Sequence, residues 1–186
     1  MAHILLVVGS TRPVRVGDQL AEQIAPLLSE GAGLPVRVVD LAELDLPLLN
    51  EPVMAGASID YAHEHTKAWS ELVKDAEAVV FLTPQYNSGY PAGLKNAIDY
   101  LYVEWQAKPA LIVSYGAFGG GMGGAQLRAV TEFVKMRMAA DNVEITIPRD
   151  AYVDWRLADP AAVVAPYREQ LTAAGPALGK DLVPAS

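Results

Sequence analysis

The stretch His3-Ile4-Leu5-Leu6-Val7-Val8-Gly9-Ser10-Thr11-Arg12-Pro13-Val14-Arg15-Val16-Gly17-Asp18 frames the reading of the whole chain. Its first part, residues 3–9, is a nearly unbroken apolar run, which suits a strand buried on both faces of a parallel sheet. The run ends in small residues and two arginines, in a chain with 14 Lys+Arg against 22 Asp+Glu. Gly9 and Ser10 allow a tight turn, and a helix starting after it presents unpaired N–H groups and a positive dipole end. Arg12 and Arg15 add forked donors suited to phosphate oxygens. Two readings follow: a pocket for a phosphate monoester, or two surface arginines paired with acids such as Asp18 or Glu22. The loop lacks the Gly-Lys-Ser/Thr of nucleoside-triphosphate loops and the Gly-x-Gly-x-x-Gly of dinucleotide folds. With no cysteine in the chain, it also lacks the nucleophile of a low-molecular-weight phosphatase.

Outward from this stretch, apolar runs alternate with helical patterns. A helix is expected over residues 18–30, with Leu20, Ile24, Leu27 and Leu28 on one face and Pro26 kinking or shortening it. Further strands are expected over residues 36–40, 78–82, 110–114 and 143–147. Between them fall helices over 61–75, with Trp69 and Leu72 inward, over 92–104 and over about 124–140; a last helix spans 160–174. Residues 41–60, with Pro47, Pro52 and Gly56, read as a long surface excursion. Strands alternating with helices give an α/β fold: one doubly wound domain over 1–186, with a parallel sheet and helices on both faces. Ligands bind such sheets beyond the carboxyl ends of the strands. Three loops meet there: 9–17, 83–91 and 114–124.

Composition narrows the function. A net charge of −8 argues against general nucleic-acid binding, which needs a surplus of Lys and Arg. No apolar run reaches the roughly 18 residues of a membrane span. The N-terminus lacks a signal-peptide pattern, and together with the absence of cysteine this points to the cytoplasm.

The second loop, Thr83-Pro84-Gln85-Tyr86-Asn87-Ser88-Gly89-Tyr90-Pro91, sets two amides and two tyrosines between stiffening prolines. Amides and backbone N–H groups match the edge of a heterocycle, and tyrosines supply flat walls. The third, Tyr115 to Gly124, holds six glycines, as expected where something approaches the backbone closely. A phosphate at one end and a flat heterocycle at the other describe flavin mononucleotide (FMN). His63 and His65, two apart, do not share a helix face and read as surface residues. Trp69 and Trp155 read as packing residues. No histidine suits a general base, and no catalytic side chain is assigned.

The chain resembles the NADPH-dependent FMN reductase family, a flavodoxin-like group that includes quinone, azo and chromate reductases. The resemblance rests on Gly9-Ser10-Thr11-Arg12, Pro84-Gln85-Tyr86-Asn87, Gly93-Leu94-Lys95-Asn96-Ala97-Ile98-Asp99-Tyr100-Leu101, Lys108-Pro109 and Tyr115-Gly116, in order over residues 3 to 147. It implies a five-stranded parallel sheet in the order 2-1-3-4-5, with FMN as cofactor and NADPH or NADH as donor. A quinone-like or other small acceptor, or free flavin, would receive the electrons; the alternative is an FMN electron carrier without NAD(P)H-oxidising activity. The resemblance further implies that Ser10, Thr11, Arg12, Arg15, Val16 and Gly17 hold the phosphate. Pro84, Gln85, Tyr86 and Asn87 would pass along the flavin ring and ribityl chain, and Ser114, Tyr115, Gly116 and Gly119 would border the ring. Val16-Gly17 replaces a common Ser-x-Asn, leaving backbone donors only, and Gln85 replaces a usual Glu. A homodimer or dimer of dimers is also expected. Leu94, Ala97, Ile98 and Leu101 face the core, while Tyr100, Val103 and Trp105 fall away and would be exposed in a single chain.

Overall fold

The N-terminal apolar run forms β1 (Ile4–Val8), buried along its whole length. Ile4, Leu6 and Val8 enter one core and Leu5 and Val7 the other, which is why the strand shows no polar alternation. The computed structural model describes residues 1–179. In chain order β1 is followed by α1 (Gly17–Ala32), β2 (Val36–Asp40), α2 (Leu41–Leu44), α3 (Glu64–Asp75) and β3 (Ala78–Pro84). Then come α4 (Ala92–Asp99), β4 (Pro109–Gly116), α5 (Gly121–Phe133), β5 (Arg137–Met138) and β6 (Val143–Thr146). The described part closes with β7 (Tyr152–Val153), β8 (Arg156–Leu157), α6 (Pro160–Val164) and α7 (Arg168–Ala174).

The sheet is parallel in the order β2-β1-β3-β4-β5, the 2-1-3-4-5 arrangement the resemblance implies. Its fifth position is split. The short β5 pairs the start of β4, and β6 pairs the end. Leu20, Ile24, Leu27 and Leu28 of α1 pack with α6 and α7 on one face. On the other face Trp69 of α3, Leu94 and Ile98 of α4 and Leu127 of α5 form the second core.

Several boundaries differ from expectation for identifiable reasons. Helix α1 runs through Pro26 and ends at Gly33, whose left-handed φ of 66° closes the helix with a bond to Ser29. The helix expected over 92–104 stops at Asp99, and a 3₁₀ turn carries Val103–Trp105. The helix expected over 124–140 starts at Gly121 and ends at Phe133, because Lys135 takes φ 64° and turns the chain into β5. Two of the three residues expected at a subunit seam are instead buried within the chain. Tyr100 is buried, with its hydroxyl donating to the carbonyl of Pro47 (3.1 Å). Asn96 Nδ2 donates to the same carbonyl (2.7 Å) and its Oδ1 accepts from Leu49 N–H (2.9 Å). The 41–60 excursion therefore covers this helix within one chain. Trp105 is buried between Trp69 and Phe81, at ring separations of 5.9 and 6.0 Å, and only Val103 stays exposed. His63 and His65 stack at 5.1 Å, and each ring meets Asn50 through Nε2 at 3.1 Å. Among the described residues no cluster of metal-ligating side chains occurs, and no helix is long and apolar enough to cross a membrane.

Candidate functional site

Strand register brings the three loops together: Val8 lies beside Leu82, Thr83 beside Ser114 and Pro84 beside Tyr115. The first loop is anchored where Gly9 N–H donates to Leu82 O (2.8 Å). A β-carbon on Gly93 would lie 2.9 Å from Thr11 Cγ2, so the absence of a side chain there seats the loop on α4. Helix α1 starts without a side-chain cap, which leaves its first N–H groups open to an acceptor. A β-carbon at Gly17 would meet the Tyr115 hydroxyl at 2.8 Å, so this glycine gives the tyrosine its place. Burial pushes the Tyr115 phenol well above its ordinary pKa, and it stays neutral. The Asp18 carboxylate in the first turn of α1 would oppose an anion, but Arg156 neutralises it at 2.8 Å.

The two arginines of the opening stretch have different fates. Arg15 donates from Nε (3.0 Å) and Nη2 (2.5 Å) to Asp40 Oδ2, and that bond raises its guanidinium pKa further. Its partner is thus Asp40 at the end of β2, and neither Asp18 nor Glu22. Arg12 is exposed, forms no ion pair among the described residues, and lies 5.9 Å from the centre of the Tyr86 ring. It is the free cation of the loop.

The second loop closes as a two-residue turn. Asn87 (φ 49°) and Ser88 (φ 68°) are both left-handed, and Tyr86 and Gly89 exchange N–H···O bonds of 2.8 and 2.9 Å. Asparagine tolerates that conformation better than most residues. Gln85 Oε1 accepts from Gly123 N–H (3.1 Å), tying this loop to the start of α5, and the Tyr86 hydroxyl meets Ser10 Oγ at 2.6 Å. In the third loop a β-carbon on Gly120 (φ 75°) would lie 2.8 Å from Tyr115 O, so the turn accepts glycine alone. Ser114 is buried and donates to Gly119 O (2.7 Å), holding the loop from beneath.

These loops border a cavity of about 570 Å³, within the usual range for a small-molecule site. Of the fourteen residues named from sequence, Thr11, Gly17, Asn87, Ser114 and Gly119 do not reach its wall; the other nine do. Five lining residues are not among those fourteen: Val14, Arg149, Tyr152, Asp154 and Trp155. Tyr152 lies in the field of Arg12, which counters the upward push of burial on its phenol. Trp155, expected in the packing, is 78% exposed. The alternation in Tyr152-Val153-Asp154-Trp155-Arg156-Leu157 is the only local hint of this hairpin, and it is too short to fix a strand.

A free guanidinium and an uncapped helix start beside tyrosine walls, at the carboxyl edge of a 2-1-3-4-5 sheet, define a flavodoxin-like nucleotide-binding domain. The family model described as NADPH-dependent FMN reductase matches residues 2–148, and the chain belongs to that family. An NAD(P)H-dependent FMN reductase of Schizosaccharomyces pombe is 44% identical over 159 residues, covering 85% of this chain and 79% of the relative. One of Saccharomyces cerevisiae is 39% identical, covering 77% of this chain and 80% of the relative. Among solved structures, a flavoenzyme NAD(P)H:(acceptor) oxidoreductase of Paracoccus denitrificans shares the fold, with a TM-score of 0.65 at 24% identity over 92% of this chain and 94% of that one.

Proposed function

We propose that this chain is an NAD(P)H-dependent flavin oxidoreductase that holds FMN in the 570 Å³ cleft and reduces quinone-like or other small acceptors, or free flavin. The observation that carries it is the pairing of Arg12 and the uncapped N-terminus of α1 with flat walls from Tyr86 and Tyr115 in one cavity. Those groups fit FMN: a dianionic phosphate needs a cation and open N–H donors, and a flat ring needs apolar faces. When bound, the flavin supplies the hydride and electron chemistry, so no side chain has to act as nucleophile or proton donor. The protein's own residues bind and orient. Arg12 and the N–H groups of residues 14–17 would receive the phosphate, with Ser10 exchanging its bond to Tyr86 for one to an oxygen. The 84–87 and 115–119 segments would border the ring, and the cleft's open side would admit donor and acceptor in turn.

We also propose a cytoplasmic location and a homodimer or dimer of dimers. Support for assembly comes from an apolar groove of about 710 Å³ between residues 49–56, α4 and α5, where Met54 and Phe133 are exposed. The test of the activity is direct: without oxygen, NADPH or NADH should bleach the flavin absorbance of the purified protein. Flavin that co-purifies yet resists both donors would make the chain an electron carrier.

A further inference from the structure

The β7–β8 hairpin turns through only two residues, Asp154 (φ 48°) and Trp155 (φ 65°). Such turns ordinarily use Asn-Gly or Asp-Gly, because both central residues are left-handed. Here a tryptophan stands where glycine would fit, in a conformation disfavoured for any residue with a β-carbon and most for a bulky one. Strain of this kind persists only where the surroundings enforce it. They do so here. Leu157 N–H donates to Gln19 Oε1 (2.9 Å), and Gln19 Nε2 returns a bond to Leu157 O (3.0 Å). Arg156 donates to Asp18 Oδ1 (2.9 Å) and to the carbonyl of Arg15, and the Leu157 side chain is buried in the core. The hairpin's base is clamped to the first turn of α1, and its tip holds an indole out at the cleft mouth.

Arg149, exposed and with no ion pair among the described residues, lines the same cavity. FMN has one phosphate and one ring system, and Arg12, α1 and the two tyrosines already match them. A second free guanidinium and a second aromatic surface on the outer rim are surplus to FMN. They match a second nucleotide, whose phosphate suits a guanidinium fork and whose base suits an indole face. We propose that Arg149 and Trp155 form the subsite for the adenosine-phosphate end of the reduced pyridine nucleotide, with Arg149 on a phosphate and Trp155 stacked on the adenine. The proposal rests on the reductase reading above for the identity of that nucleotide. Both residues position the donor; neither touches the reacting atoms.

The chain has three tryptophans, and Trp69 and Trp105 are fully buried, so nucleotide-dependent changes in indole emission report on Trp155. Adenosine 2′,5′-bisphosphate added to the purified protein should quench that emission saturably, and Trp155→Phe should abolish the signal. Arg149→Ala should weaken the bisphosphate roughly 10- to 100-fold, the range of a lost charge-assisted bond. Trp155→Ala should raise the donor KM roughly tenfold through lost base stacking, Trp155→Phe should restore most of it, and FMN content should match the parent in both. The subsite is overturned if the bisphosphate leaves Trp155 emission unchanged, or if Trp155→Ala releases FMN while donor affinity holds, which would make the indole a flavin wall. A protein that shows the quench but oxidises neither NADPH nor NADH would retain the subsite and lose the reductase reading.

Discussion

Replacing Arg12 and Arg15 in turn separates two roles that look alike in sequence. Arg12→Ala removes an exposed guanidinium with no ion pair among the described residues, so stability should change by about 0.5 kcal/mol or less. Its contact with Tyr86, at 5.9 Å, lies at the outer limit of a cation–π interaction and at an exposed site is worth no more than about 0.5 kcal/mol. FMN affinity should fall by about 1.5–3 kcal/mol, the value of a hydrogen bond to a charged group, or roughly 10- to 150-fold in Kd. Arg15→Ala does something else. It strips two donors from Asp40, whose carboxylate then keeps one bond, from Ala42 N–H (2.9 Å). Breaking a fully buried pair costs about 3–5 kcal/mol. With side-chain exposures of 16% and 9%, water recovers part of that, and about 2–3 kcal/mol is expected. For a domain of this length that lowers Tm by about 4–12 °C. Adding Asp40→Asn should restore part of the loss, because no unpaired carboxylate remains. Thermal melts and FMN titrations of the four proteins are the assay, with riboflavin as the phosphate-free control that Arg12→Ala should leave within about twofold. An Arg15→Ala protein that keeps the parent Tm and loses FMN as strongly as Arg12→Ala would refute the division of roles, for then Arg15 leaves Asp40 for the phosphate.

Two further outcomes are expected. Burial pushes the Glu51 carboxyl up, but the nearby Thr66 hydroxyl, N–H donors from Ala62 (2.8 Å) and His63 (3.1 Å) and the charge of His63 together outweigh it and hold the group below its usual 4.5. The folded pKa being depressed, its stabilisation is complete above about pH 4.5 and is lost as pH falls through the folded value. Glu51→Gln should therefore cost about 1 kcal/mol at neutral pH, with a Tm deficit that shrinks towards pH 3; a constant deficit would contradict this. Sedimentation at micromolar concentration should show a species at least twice the chain mass of 19.9 kDa, and Met54→Asp with Phe133→Asp should weaken assembly at least tenfold. A lone 19.9 kDa species that oxidises NADPH would remove the oligomer.

The sequence by itself determined the sheet and the edge where the site lies. Residues 3–9 could only be a strand covered on both faces, and the alternation of such runs with helical stripes leaves few topologies. It also placed the three loops, because a glycine such as Gly120 answers a local need, a left-handed φ, whereas the need at Gly17 comes from the distant Tyr115. Partners far apart in sequence were a different matter. Arg15 offered itself equally to phosphate, Asp18 or Glu22, and only the pairing of β1 with β2 delivered Asp40 to it. Tyr100 and Trp105 looked exposed on a helical wheel until the 41–60 excursion and the Trp69–Phe81 pair enclosed them. Trp155 looked like core until a turn of two left-handed residues, clamped by Arg156 and Gln19, pushed it into solvent beside the cleft. Periodicity and turn chemistry act over a few residues and are written in the order of the chain. Charge pairing and burial depend on which segments fold back on one another, and that only the tertiary structure decides.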